Sequence, residues 1–174
     1  MMKRCAAAVA VFAVVLMLAG PVLAHDHFGA RLRGFEETPA VSSGGQGFFF
    51  ATLNDAGTEI SYSLVYREME SNVTQAHIHL GQKGVAGGIF LFLCTNLAPP
   101  AGVPAPPACP AGTGSDFVGV SGTLTVANIT PIAAQGIAAG EFSEVVDAIK
   151  AQVTYVNVHT TGFPSGEIRG QLTH

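Results

Sequence analysis

The sequence predicts an all-β domain, an antiparallel Greek-key-like β-sandwich with one short helix inserted. Three observations carry that expectation. Apolar and polar residues alternate with a period of two through much of the chain, as at Ile60, Tyr62, Leu64 and Tyr66 against Glu59, Ser61 and Ser63. Gly 21 and Pro 10 punctuate these runs at turn-like intervals. Only one segment keeps the helical spacing, so strands have few crossover helices and must pair antiparallel.

The chain has 174 residues, enough for one domain with its own core. Its 11% charged residues and mean hydropathy of +0.40 exclude a charge-rich disordered chain. A net charge of −4 without Lys/Arg clusters argues against nucleic acid as a partner.

The first segment is not part of the fold. Lys3 and Arg4 precede an unbroken apolar stretch over residues 6–18, Gly20 and Pro21 break it, and Val22, Leu23 and Ala24 follow. This pattern is that of a secretory signal peptide over residues 1–24, cleaved after Ala24. The apolar run is short of the roughly 20 residues that an uncleaved anchor needs. The mature domain then occupies residues 25–174, secreted or periplasmic, with no membrane span after cleavage.

Strands are expected over residues 30–35, 47–53, 60–66, 73–81, 88–94, 117–125, 153–160 and 167–173. Asn54, Asp55, Ala56 and Gly57 make a hairpin turn between two of them. Phe142, Val145, Val146 and Ile149 fall at i, i+3, i+4 and i+7, with Glu144 early and Lys150 late, as the helix dipole favours. Residues 98–114 are rich in Pro and Ala and read as a surface loop. Cys94 and Cys109 flank it and suit one disulfide in an exported chain. A Cys metal site is the alternative, but no second pair of sulfurs supports it. Glu36, Glu37, Thr38 and Pro39 read as an exposed connection.

Strand parity identifies a candidate site. In residues 73–81 the apolar Ala76, Ile78 and Leu80 face one way, and Gln75, His77 and His79 the other. In 153–160, Val156 and Val158 point inward while Tyr155, Asn157 and His159 share the polar side. In 167–173, Ile168 and Leu172 point inward while Glu167, Arg169 and Gln171 point out. If these strands are neighbours, His77, His79 and His159 offer three imidazole nitrogens to one metal ion. Copper is favoured and zinc is the alternative. Glu167, Arg169 and Asn157 would surround the ligands, with Glu167 orienting a His or pairing with Arg169. The competing reading is a buried hydrogen-bond network of the same residues, in a module that recognises an extracellular or periplasmic protein.

Cleavage after Ala24 adds a second candidate. The new amine of His25, two amide nitrogens and the third-position His27 would make a square-planar set suited to Cu(II) or Ni(II). Alternatively the amine and the His25 ring form a chelate, or the terminus is simply frayed.

Four ordered motifs resemble the CHRD domain, the module first described in chordin. They are residues 34–41 with 43–47 (Gly34, Phe35, Glu36, Glu37, Thr38, Pro39), 76–81 (Ala76, His77, Ile78, His79), 155–160 and 163–172. The resemblance spans about residues 28–173. It implies a secreted all-β module, single in bacteria and in tandem in proteins acting on extracellular growth factors. It carries over no catalytic activity. Glu37, Thr38 and Pro39 stand where the pattern commonly has Val-Pro-Pro. A looser similarity to Cu/Zn superoxide dismutase implies His77, His79 and His159 as copper-like ligands and Arg169 as an anion guide, without the zinc half.

Overall fold

The structure is a computed structural model that describes residues 26–174. The expected signal peptide and His25 lie outside the described residues. Eight strands form: β1 (Asp26–Arg33), β2 (Gln46–Leu53), β3 (Glu59–Arg67), β4 (Val73–Leu80), β5 (Gly88–Thr95), β6 (Val118–Thr125), β7 (Thr154–Thr160) and β8 (Ile168–Gln171). One helix, α1 (Phe142–Lys150), precedes β7.

All pairings are antiparallel, in the order β5-β4-β7-β8-β1-β2-β3-β6. The expected all-β architecture with one short helix is therefore present, and its layers belong to one continuous sheet. The sheet curls until its ends approach: the Tyr62 hydroxyl on β3 donates to the Leu93 carbonyl on β5 at 2.6 Å, and Leu91 bridges to Ile129 just beyond β6. Curling encloses the core, as the right-handed twist of long sheets favours.

Alternation decides which side chains fill that core. Ile60, Tyr62, Leu64 and Tyr66 of β3 are buried, as are Phe49, Ala51 and Leu53 of β2. Burying each of the larger ones stabilises the fold by about 1.5–3 kcal/mol. Phe142, Val145, Val146 and Ile149 form the buried stripe of α1, and Lys150 in its last turn pairs with Asp26 at 2.7 Å.

Cys94 and Cys109 form the expected disulfide. Asn96 reinforces it: its amide donates to the Val73 and Cys109 carbonyls and its oxygen accepts from the Cys109 N–H. The Pro-rich loop is thus clamped at its base on β4 and β5.

The strands β4, β7 and β8 lie side by side, and β7 is buried on both faces. One face meets the oily core. The other is roofed by three non-strand segments, 34–41, 81–87 and 162–166, whose contacts are described below. Glu37 lies in the first of these and is buried. The expectation of an exposed connection is corrected there: Glu36 does reach outward, to Lys83 at 3.1 Å, but the next residue turns under the roof.

Candidate metal centre

The β4–β7 register brings the polar residues together. His77 stands opposite Asn157, His79 opposite Tyr155, and Gln75 opposite His159. Asn157 in turn faces Arg169 on β8. His77 and His79 leave the same face of β4, and His159 meets His77 on the diagonal. Register shifts between β4 and β5 fall at Ala76/His77 and at Ile78/His79. Such bulges re-aim side chains near functional sites.

One nitrogen of each of His77, His79 and His159 lies within 4.8 Å of the other two. A bound zinc or copper holds imidazole nitrogens at about 2.0–2.1 Å, so modest closure brings all three onto one ion. His77 and His79 are buried, and His159 is half-buried.

Hydrogen bonds fix the ring protons. Nδ1 of His79 lies 2.9 Å from the Gly87 carbonyl and Nδ1 of His159 lies 3.0 Å from the Pro164 carbonyl. A carbonyl oxygen only accepts, so both Nδ1 atoms donate. In a neutral ring Nε2 is then a lone pair, the arrangement of a histidine prepared for a metal. His77 Nδ1 lies 3.1 Å from His159 Nε2 and donates to it, which leaves the His77 Nε2 bare as well. The Nε2 atoms of His77 and His79 are both buried without a partner. Orphaned buried acceptors of this kind cost about 1–3 kcal/mol each.

Burial keeps the rings neutral. It pushes His77 down to about 2, helped by His159 and His79. It pushes His79 down to about 4 against the opposing bond from Gly87. Burial also lowers His159, with the Pro164 carbonyl acting the other way.

Aromatic and cationic groups lock the rings. Tyr155 stacks on His79 with centroids 4.6 Å apart, and the Arg169 guanidinium lies 3.4 Å above the centre of the Tyr155 ring. Phe92 meets His77 edge-on at 4.4 Å. Arg169 also donates to Thr38 and to the Gln82 and Val85 carbonyls, tying two roof segments to β8. Its role as an anion guide is corrected by this geometry: at 2% exposure, with three of its five N–H donors held by Thr38, Gln82 and Val85, it is buried away from solvent.

Glu167 is corrected too. It reaches neither a His nor Arg169. Its carboxylate accepts from Ser43 Oγ, the Glu70 N–H and Thr160 Oγ1 at 2.7, 2.8 and 2.6 Å. It ties β7 to the segments that precede β2 and β4. Asn157, by contrast, lies at the site, with Oδ1 3.1 Å from His159 Nε2. His27 sits on β1 beside Thr52, its Nδ1 3.0 Å from Oγ1, and is not part of the three-His group. The terminal chelate proposed for His25 and His27 involves residue 25, which is outside the described residues.

Sequence reasoning missed Glu37. It is 8% exposed, and burial raises its carboxyl to about 7 against Arg169, the Thr38 N–H and the Asn157 amide. Nothing periodic marks the 34–41 segment; only its likeness to the CHRD pattern singled it out, and that likeness assigns Glu37 no role. A groove between this segment and residues 162–166 opens beside Glu37.

Among the described residues, no helix is long and apolar enough to cross a membrane. Comparison with protein families matches the CHRD domain over residues 28–172. No curated protein and no solved structure matches the chain.

Proposed function

The chain belongs to the CHRD domain family, and from that premise we propose that it is an exported protein that binds one transition-metal ion through His77, His79 and His159. Copper is the ion we favour, with zinc as the alternative, because neutral imidazole suits both. The role would be storage, delivery or tolerance of the metal outside the cytoplasm. The Cys94–Cys109 bridge is compatible with an oxidising compartment.

The observation that carries the reading is the pair of buried, partnerless Nε2 atoms on His77 and His79, next to a third ring whose proton is also turned away. One nitrogen of each ring lies close enough to share a single divalent cation, which would replace the contact between His77 and His159. Arg169 and the residue 81–87 strap exclude water, while Gly87 and Pro164 hold the protons on the outer nitrogens.

The second reading is an extracellular interaction module whose histidines only bond one another. The 3.1 Å contact between His77 Nδ1 and His159 Nε2 favours it. A dismutase-like activity has less support, because Arg169 is sealed.

The chain contains no Trp, so calorimetry is the suitable assay. Metal-free protein carrying His25→Ala and His27→Ala, which removes both terminal chelates, should bind about one equivalent of Cu(II) or Zn(II) if His77, His79 and His159 form one site. Adding His77→Ala and His79→Ala should abolish binding. Equal binding by that variant overturns the metal reading.

A further inference from the structure

Asn157 lies opposite His77 across the β4–β7 pair and is 3% exposed. Its Oδ1 is 3.1 Å from His159 Nε2. The Pro164 carbonyl already takes the His159 ring proton at Nδ1, so this Nε2 presents a lone pair. In the metal-free ring that lone pair accepts from His77 Nδ1, so the amide oxygen beside it meets a nitrogen with no proton to offer. The two repel unless a cation lies between them.

The opposite orientation of the amide would remove that conflict, so something must hold the oxygen inward. Glu37 is the group in place to do so. Asn157 Nδ2 and Glu37 Oε1 converge on Gly166, which places the NH2 end of the amide on the side of the carboxyl. Gly166 makes room for the contact. Its φ is +123°, and a Cβ there would collide with both the Glu37 carboxyl and the Asn157 Nδ2. Glu37 Oε1 is itself buried without a partner, so the carboxyl has acceptor capacity to spare.

The geometry points to Asn157 Oδ1 as the fourth ligand of the ion held by His77, His79 and His159, with Glu37 as the positioning residue that keeps the amide oxygen inward. This rests on the metal reading above and adds an oxygen to it. Three neutral nitrogens and one amide oxygen, without sulfur, suit a divalent ion such as Zn(II), Co(II) or Cu(II) over Cu(I). The four donors would close the site, as in a holding site, with no open position for a substrate. The reversed amide, with its NH2 on the imidazoles, would instead complete a metal-free hydrogen-bond network.

The test uses the His25→Ala/His27→Ala chain loaded with Co(II), read by its visible ligand-field bands, together with Zn(II) calorimetry. Asn157→Leu keeps the volume and removes the oxygen. It should weaken binding about 100-fold and move the Co(II) bands, whereas Asn157→Asp should keep both near their original values. Glu37→Leu should weaken binding about 10-fold, and Glu37→Gln, which retains an acceptor oxygen for the amide, should recover most of it. Unchanged affinity and bands in Asn157→Leu overturn the fourth ligand while leaving the three-His site standing. No binding by the parent chain overturns both. If circular dichroism shows Asn157→Leu unfolded, the Glu37 pair decides: equal binding by Glu37→Leu, Glu37→Gln and the parent overturns the proposal.

Discussion

Replacing Glu167 separates the scaffold from the site. Its carboxylate is fully buried and accepts three hydrogen bonds, from Ser43, Glu70 and Thr160. Bonds to a charged group contribute about 1.5–3 kcal/mol each, but the desolvation of the carboxylate offsets part of the sum. In Glu167→Ala the two hydroxyls can turn elsewhere, while the Glu70 N–H is stranded. The expected loss is about 3–5 kcal/mol, the range seen when a buried charged partnership is broken. Glu167→Gln keeps an oxygen for Ser43 and Glu70 and meets Thr160 with an amide, so about 1–2 kcal/mol should be lost. Urea denaturation reads both values. At a slope of about 2 kcal/mol per molar, the midpoint should fall by about 2 M for Ala and by under 1 M for Gln. Metal affinity of Glu167→Gln under native conditions should be unchanged. A variant with parental stability and lost metal affinity would refute the reasoning and return Glu167 to the histidines.

Further outcomes follow from the same geometry. Metal-free protein should lose stability on acidification below the ordinary histidine value of 6.5, because the unfolded chain then binds protons that His77 and His79 refuse. Each contributes about 1.4 kcal/mol per pH unit, present in full above 6.5 and lost as the pH falls; the lowered His159 adds in the same direction. Glu37, raised to about 7, acts oppositely between that value and its ordinary 4.5, with Arg169 and Asn157 facing it. With His159 counted, the net slope is at least about 1.4 kcal/mol per unit, and Glu37→Gln should steepen it by a further ~1.4 kcal/mol per unit in chemical denaturation across pH 6.5 to 4.5. Replacing both Cys94 and Cys109 by Ser opens a bridge with a sequence separation of 15 and should cost about 3 kcal/mol, read as a lower thermal midpoint. Gly166→Ala forces a side chain onto a φ of +123° and into the Glu37–Asn157 contact. It should destabilise the fold by about 1–3 kcal/mol, and calorimetry should show weaker metal binding.

The sequence carried the parts of this structure that rest on periodicity. The alternation in β3, the buried stripe of α1 and the shared face of His77 and His79 are local properties of the chain. The meeting of His159 with that pair needed the β4–β7 pairing, which parity can allow but cannot choose. Glu167 shows where parity ends. It was grouped with Arg169 and Gln171, yet β8 begins at Ile168, and a residue just ahead of a strand does not inherit the strand's alternation. Gly166 at φ +123° precedes it and re-aims the chain. The burial of the polar face was hidden for a related reason. It is covered by irregular segments, whose positions come from long-range contacts such as Arg169 to Val85 rather than from any repeat in their own residues.

Arg169 fastens the strap over the histidines by gripping the main-chain oxygens of Gln82 and Val85, not their side chains. Any amino acid supplies the same two oxygens. Gln82 and Val85 can therefore change their side chains at the outer surface while the cover beneath them stays latched. The protein thus carries a rewritable exterior directly above a buried cluster of fixed geometry, and a new binding epitope grafted there leaves what lies below closed.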